Sequence, residues 1–176
     1  RTYHQTHSNL TPTDRNKIIF GISSTMKKLH QNRILFRDLK TAHIFLDENF
    51  EPKISVCSLA TKLKNEDEEE EELDLGVGTL RFMSPEFLLE ESNFSFPVDV
   101  YSFSVILYLF FSEYFPFTIR DVVNKIYPKR NKNIPDCFWE LIQKCWSFDP
   151  SDRPTFDEIT EMLKDDKFKL VEFGKE

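Results

Sequence analysis

Apolar residues along the chain follow helical spacing in some stretches and form short runs in others. Between about residues 13 and 30 they recur every three or four positions, which predicts an amphipathic helix. Residues 100–111 are apolar on every side of a helical wheel, which predicts a buried central helix, spanning about 97–112 with its flanks. Its apolar part is too short to cross a bilayer. Three more helices are predicted, at about 118–126, 136–147 and 155–166.

Short apolar runs lie between the first helix and the buried one. The runs at 34–36, 44–46 and 53–56 are too brief for helices and predict small strands joined by loops. Residues 61–79 are rich in charge, a composition that predicts a loop, because it buries too little apolar surface to order itself. The pattern as a whole predicts a mainly α fold with a few short β-strands.

The charge of the chain is concentrated in one segment. The 176 residues include 30 acidic and 23 basic side chains, and seven of the acids are consecutive, at 66–72. The remaining acids and bases therefore balance. Without a surplus of Lys and Arg we expect no nucleic-acid partner. Without an apolar run near the roughly 20 residues of a membrane helix we expect no membrane partner.

The cysteines give no sign of a metal site or a disulfide framework. Cys57, Cys137 and Cys145 are an odd number and have no metal-ligand spacing, so we expect no bound metal. No signal peptide is present at the start of the sequence, and both features favour a reducing, cytoplasmic location. The sequence begins at Arg1 and leaves open whether it is a fragment of a longer protein.

Five motifs in order resemble those of eukaryotic protein kinases. Residues 36–43, Phe-Arg-Asp-Leu-Lys-Thr-Ala-His, resemble the catalytic loop H-R-D-L-K-x-x-N. Residues 52–60 stand where these kinases have P-K-I-x-D-F-G-L-A, and 77–86 are similar to the end of an activation segment. Residues 99–103 resemble the start of the central helix, and 145–156 resemble a later loop with Asp-Arg-Pro. The last motif is most similar to the tyrosine-kinase-like group, and a lysine two residues after the loop aspartate favours the Ser/Thr type.

The resemblance implies a fold and a division of the chain. It implies the C-terminal lobe of a kinase, a mainly α part of an α+β superfamily, over residues 11–166. Residues 1–10 and 167–176 are then tails. The activation-segment equivalent is 56–86, with an acidic loop at 62–76. Upstream of residue 11 there is no Gly-rich loop and no strand with the nucleotide-binding lysine, so we expect the N-terminal lobe to be absent or encoded elsewhere.

The resemblance also implies roles for individual residues. Asp38 matches the catalytic aspartate and Lys40 the lysine that steadies the transferring phosphoryl group. An alternative is that Asp38 only bonds loop backbone. Arg37 matches the family arginine that reaches an activation-segment phosphate, and Thr79 lies in the activation-segment equivalent. Glu86, Asp99 and Arg153 match structural positions of the family.

Several positions depart from the family pattern. Val56 replaces the D-F-G aspartate that binds Mg²⁺, and valine has no oxygen ligand. His43 replaces the asparagine that holds the second ion, and imidazole suits Zn or Cu better. Phe36 replaces the first histidine of the catalytic loop, while Cys57 and Ser58 replace the Phe and Gly of D-F-G.

These departures lead to two hypotheses about function. The first is a pseudokinase-like signalling module without phosphotransferase activity that binds protein partners and needs no cofactor. The alternative is an ATP- and Mg²⁺-dependent Ser/Thr protein kinase. The acidic loop is either solvated or an imitation of a regulatory phosphate near Arg37. Substrate, partner and pathway are not predicted.

Overall fold

The computed structural model describes residues 10–55, 58–63, 78–89, 95–112 and 114–170. This part of the chain is rich in helix and holds a few short strands, which confirms the predicted fold class. The α-helices are α1 (Pro12–Gln31), α2 (Pro85–Leu88), α3 (Pro97–Phe111), α4 (Ile119–Val123), α5 (Asp136–Cys145) and α6 (Phe156–Met162). Short 3₁₀ helices lie at Thr41–His43, Leu80–Phe82, Pro150–Asp152 and Asp166–Phe168.

Helix α1 forms where the apolar spacing predicts it. A capping box at its start joins Thr11 and Asp14: the Thr11 Oγ1 accepts from the Asp14 amide at 3.1 Å, and Asp14 Oδ2 accepts from the Thr11 amide at 3.0 Å. The helix packs against α6 and close to β3. At Gly21 a Cβ would lie 2.4 Å from Pro52 Cγ, so only glycine allows this approach. The buried apolar residues of α1 are Ile18, Ile19, Ile22 and Met26.

Helix α3 is the centre of the core. Every residue from Val98 to Phe110 is buried, as expected for a helix that is apolar on all sides. It packs against α5. Its aromatic rings contact two helices: the Phe103 ring lies 5.4 Å from that of Phe156 in α6, and the Phe111 ring lies 5.1 Å from that of Phe138 in α5. Edge and tilted ring contacts at these distances add stability beyond simple burial. The buried helix is therefore a rigid support for the loop at residues 36–43.

Two antiparallel pairs of strands flank the region that carries the motifs. Strand β1 (Ile34–Leu35) pairs with β4 (Thr61–Lys62), and β2 (Ile44–Leu46) pairs with β3 (Pro52–Ile54). The pairing of β4 corrects the prediction that residues 61–79 form a loop. Thr61 and Lys62 have little apolar character of their own, so only their partner β1 makes them a strand.

Other element ends also differ from the predictions. Helix α4 stops at Val123 rather than near 126, because Lys125 adopts a left-handed backbone (φ 54°). Helix α6 ends at Met162 rather than near 166. The short helix α2 was not predicted. Several predicted features lie outside the described residues: Val56, Cys57, nearly all of the acidic loop, and most of both tails.

A buried ion pair ties α2 to the loop before α6. Arg153 donates from Nη1 to Glu86 Oε1 at 2.6 Å and from Nη2 to Glu86 Oε2 at 2.8 Å. The same guanidinium donates to the Ser147 and Pro97 carbonyls and lies over the Tyr101 ring. Burial raises the pKa of the Tyr101 hydroxyl well above its ordinary value, so this side chain stays neutral at physiological pH.

Within the described ranges, no helix combines the length and apolar character needed to cross a membrane.

The Arg153–Glu86 pair yields a stability prediction. Arg153→Ala leaves the Glu86 carboxylate buried without its partner, and we expect the free energy of unfolding to fall by about 3–5 kcal/mol. Urea denaturation followed by circular dichroism measures the change. The matched control is Lys164→Ala, which removes an exposed pair with Glu161 and should change the free energy of unfolding far less. Equal losses in the two variants would contradict the prediction.

Candidate active site

The loop at residues 36–43 joins β1 to β2, and hydrogen bonds from its backbone to Asp99 hold it in place. The Asp99 carboxylate, fully buried at the start of α3, accepts from the Phe36 amide at 2.9 Å and from the Arg37 amide at 2.8 Å. His30 Nε2, at the end of α1, lies 2.9 Å from the same carboxylate. One side chain therefore joins α1, α3 and the loop.

Arg37 shows why the loop needs this support. Its backbone is left-handed, with φ 66°, a conformation that costs a non-glycine residue roughly 1–2 kcal/mol. Hydrogen bonds to a buried carboxylate are strong enough to offset that cost. The turn at Arg37 sets the direction in which Asp38 leaves the backbone.

Asp38, Lys40 and Thr79 form a closed triangle of side-chain contacts. Lys40 Nζ donates to Asp38 Oδ2 and to Thr79 Oγ1, each at 2.7 Å. The Thr79 hydroxyl donates to Asp38 Oδ1 at 2.9 Å. The Asp38 carboxylate therefore contacts the side chains of Lys40 and Thr79, rather than only the backbone of its own loop. The arrangement holds an oriented carboxylate beside a cation, with one partner from the activation-segment equivalent.

Gly78 brings the activation-segment equivalent close to this triangle. Its φ is +133°, a region that other residues rarely adopt. A Cβ at this position would lie 3.0 Å from Met83 Cε and 3.3 Å from the Arg37 carbonyl oxygen. Glycine therefore allows the backbone before Thr79 to pass beside the loop.

The Arg37 side chain binds the segment after the D-F-G position. Its Nε donates to the Leu59 carbonyl at 2.7 Å and Nη2 donates to Thr61 Oγ1 at 2.6 Å. These contacts connect the loop to β4. The acidic run that was predicted either to imitate a phosphate near Arg37 or to be solvated lies outside the described residues, so both interpretations remain predictions.

His43 occupies the position of the metal-binding asparagine of the family pattern. Its Nδ1 lies 3.0 Å from the Asp38 carbonyl oxygen and 3.6 Å from Asp38 Oδ2. A carbonyl oxygen only accepts hydrogen bonds, so Nδ1 carries the proton and donates it to this oxygen. Phe36 packs edge-on against this ring at 6.3 Å. His43 therefore contributes ring packing and a hydrogen bond, where the family asparagine contributes an amide oxygen.

The donor set at the metal positions does not fit Mg²⁺. This ion takes oxygen ligands in octahedral geometry, whereas the sequence supplies the valine side chain of residue 56 and the imidazole of His43. Ser58, at the glycine of D-F-G, is exposed. In the described ranges, no three His, Cys, Asp or Glu side chains come together as a metal site.

Sequence reasoning missed two features of the site. His30 lies on the row of α1 residues 18, 22, 26 and 30, four apart, whose other members are buried and apolar. A polar residue on that row is a signal that it faces a buried partner. The contact of Arg37 with Thr61 had no signal, because it depends on the unpredicted strand β4.

A comparison with known protein families matches residues 1–165 to the model described as "Protein kinase domain". The chain belongs to the protein kinase family. Among curated kinases it is 34% identical over 155 residues to the serine/threonine-protein kinase STY17 of Arabidopsis thaliana. It is also 37% identical over 152 residues to the cell cycle serine/threonine-protein kinase CDC5/MSD2 of Saccharomyces cerevisiae.

These alignments cover most of this kinase chain but little of its relatives. They include 84% of the chain against STY17 and 81% against CDC5/MSD2. The dual specificity protein kinase pyk3 of Dictyostelium discoideum is 34% identical over 92% of the chain. In turn, the chain spans 26% of STY17, 21% of CDC5/MSD2 and 12% of pyk3.

The triangle of Asp38, Lys40 and Thr79 yields a second stability prediction. Thr79→Val keeps the shape of the side chain but removes the hydroxyl that bonds the other two residues. We expect the free energy of unfolding to fall by about 1–3 kcal/mol, because the partly buried carboxylate and ammonium each lose a partner. The control Thr79→Ser keeps the hydroxyl and should lose less. Equal urea midpoints for wild type and Thr79→Val would contradict the triangle.

Proposed function

We propose that this kinase domain is pseudokinase-like and binds a protein segment without Mg²⁺-dependent phosphoryl transfer. One observation carries the proposal: His43 Nδ1 is bonded to the Asp38 carbonyl at the position where a kinase of this pattern offers an amide oxygen to a metal ion. The replacement of the D-F-G aspartate by Val56 removes the other family ligand.

The size of the lost contribution supports this reading. Phosphoryl transfer depends mainly on positioning and on cations that neutralise the developing charge. A single group of this kind can contribute roughly 10³–10⁵ in rate. Among the described residues the lysine bonded to Asp38 is Lys40, and this single positive charge cannot replace two divalent ions. The family implies ATP and Mg²⁺ by resemblance; for this chain we propose that neither is required.

The retained side of the site supports protein binding. A kinase aspartate in the position of Asp38 accepts a hydrogen bond from the substrate hydroxyl. Here that carboxylate is oriented by Lys40 and Thr79 and rests on the Asp99 network. A Ser or Thr of a partner can meet this carboxylate without any nucleotide. The proposed setting is cytoplasmic signalling with protein partners, and no role with nucleic acid or membranes is proposed.

A second candidate is an ATP-dependent Ser/Thr protein kinase of the tyrosine-kinase-like group. The intact Asp38–Lys40–Thr79 triangle favours it, because Asp38 and Lys40 match the aspartate and the lysine that act together in phosphoryl transfer by the family. STY17 and CDC5/MSD2, to which the chain is similar, are both named serine/threonine-protein kinases. The two candidates differ in whether Mg-ATP binds.

A thermal-shift experiment separates the two candidates. We expect the wild-type chain to show no saturable change in Tm with Mg-ATP, because the two metal positions lack oxygen ligands. In Val56→Asp/His43→Asn both ligands return, and binding at a hundredfold excess over Kd would add about 2.7 kcal/mol, or several degrees.

The control variant is Val56→Ile/His43→Phe, which changes the same positions without adding an oxygen. It should behave like the wild type toward Mg-ATP. A saturable rise of several degrees in the wild-type chain itself, with Mg²⁺ or with Mn²⁺, would contradict the pseudokinase-like reading and favour the enzyme.

A further inference from the structure

Helix α4 and the turn after it expose an unusual group of apolar side chains. Ile119 and Val123, one turn apart on the helix, are 39% and 43% exposed, and Ile126 and Tyr127 are each 53% exposed. These four large apolar side chains lie within nine residues, and exposed apolar groups clustered in this way mark interaction surfaces. We call residues 118–134 the α4 face.

The α4 face is held in a fixed shape by the fold. A capping box between Thr118 and Asp121 starts the helix, and Val122 anchors it in the core. Farther along, the Tyr127 ring packs on Phe148 at 4.4 Å between centroids. The exposed apolar side chains are therefore displayed from ordered backbone.

The same face carries a local excess of positive charge. It holds five basic residues and a single acid, Asp121, whose carboxylate is engaged by the cap of α4. Of the five, Arg130 forms an ion pair with Asp136. The basic residues are Arg120, Lys125, Lys129, Arg130 and Lys132.

The acidic complement of this face is present in the chain itself. Residues 66–72 are seven consecutive acids, and they are followed by Leu73, Asp74 and Leu75. Elsewhere in the sequence no more than two acids are consecutive, so this run is the strongest concentration of negative charge in the chain. An acidic stretch next to leucines matches a face that combines cations with exposed apolar groups.

We propose that the α4 face binds a second copy of this chain, whose acidic run 66–72 lies against the basic residues. A two-fold pair satisfies the contact twice, since each copy supplies one basic face and one acidic run. It also removes the exposed apolar side chains of both copies from water. This inference does not depend on the proposed function, because in the described part of the chain no hydrogen bond joins residues 118–134 to Asp38, Lys40 or Thr79.

Sedimentation velocity of the full chain tests the proposal. At about 0.05 M salt we expect a concentration-dependent species of twice the monomer mass of 20.9 kDa. It should dissociate at about 1 M salt, where the Debye length is only about 3 Å. Lys125→Glu/Lys129→Glu should weaken the dimer about tenfold or more, because like charges then face each other.

The matched control is Lys164→Glu/Lys169→Glu, which changes the net charge equally at exposed positions outside the α4 face. It should dimerise nearly as well as the wild type. Circular dichroism of each variant verifies that it is folded. A wild-type chain that stays monomeric at low salt, or a dimer that is insensitive to Lys125→Glu/Lys129→Glu, would overturn the proposal.

A mixing experiment tests whether the acidic run of one copy binds the α4 face of another copy or the α4 face of its own chain. The second variant replaces the seven acids by Ser and Gly. At a concentration near the Kd of the wild-type dimer, this variant and Lys125→Glu/Lys129→Glu should each be mainly monomeric alone. Mixed together, the two should form a heterodimer, because one keeps its acidic run and the other its basic face. If wild type dimerises but the mixture stays monomeric, the acidic run is not the partner of the α4 face and the proposal fails.

Discussion

The site depends on one buried carboxylate. Asp99 stands in the first turn of the apolar helix α3 and accepts the amides of Phe36 and Arg37, with His30 on the same oxygen as Phe36. A buried charge is stable only when it is paired and hydrogen-bonded. The bonds that satisfy Asp99 are also those that hold Arg37 in its left-handed conformation. The core, the loop and the direction of Asp38 are therefore set together.

The site has two parts: one retains the residues of the family pattern, and in the other they are replaced. At the positions that face the acceptor hydroxyl in the family pattern, Asp38, Lys40 and Thr79 are in contact. At the positions that hold metal ions in that pattern, the sequence has His43 and Val56. The chain belongs to the kinase family by fold and by motif, yet fold alone does not establish activity. A binding role needs only the part that is retained.

The parts of the fold that could be predicted are those with strong local signals. Helices α1 and α3 have enough residues for their apolar periodicity to be read directly, and the loop motif located Asp38 and Lys40. Strand β4 and helix α2 have only two and four residues, so they exist because of tertiary contacts rather than local preference. The positive φ of Arg37 and the role of His30 likewise come from Asp99, which lies more than 60 residues away in sequence.

The most direct test of the account is transfer of the γ-phosphate itself. The purified chain is incubated with radiolabelled ATP, Mg²⁺ and a mixture of Ser- and Thr-containing peptides, beside an Asp38→Asn variant of equal purity. The account predicts that the wild-type chain incorporates no more label than Asp38→Asn. Label that appears in a peptide or in the chain with the wild type, and disappears with Asp38→Asn, would contradict it.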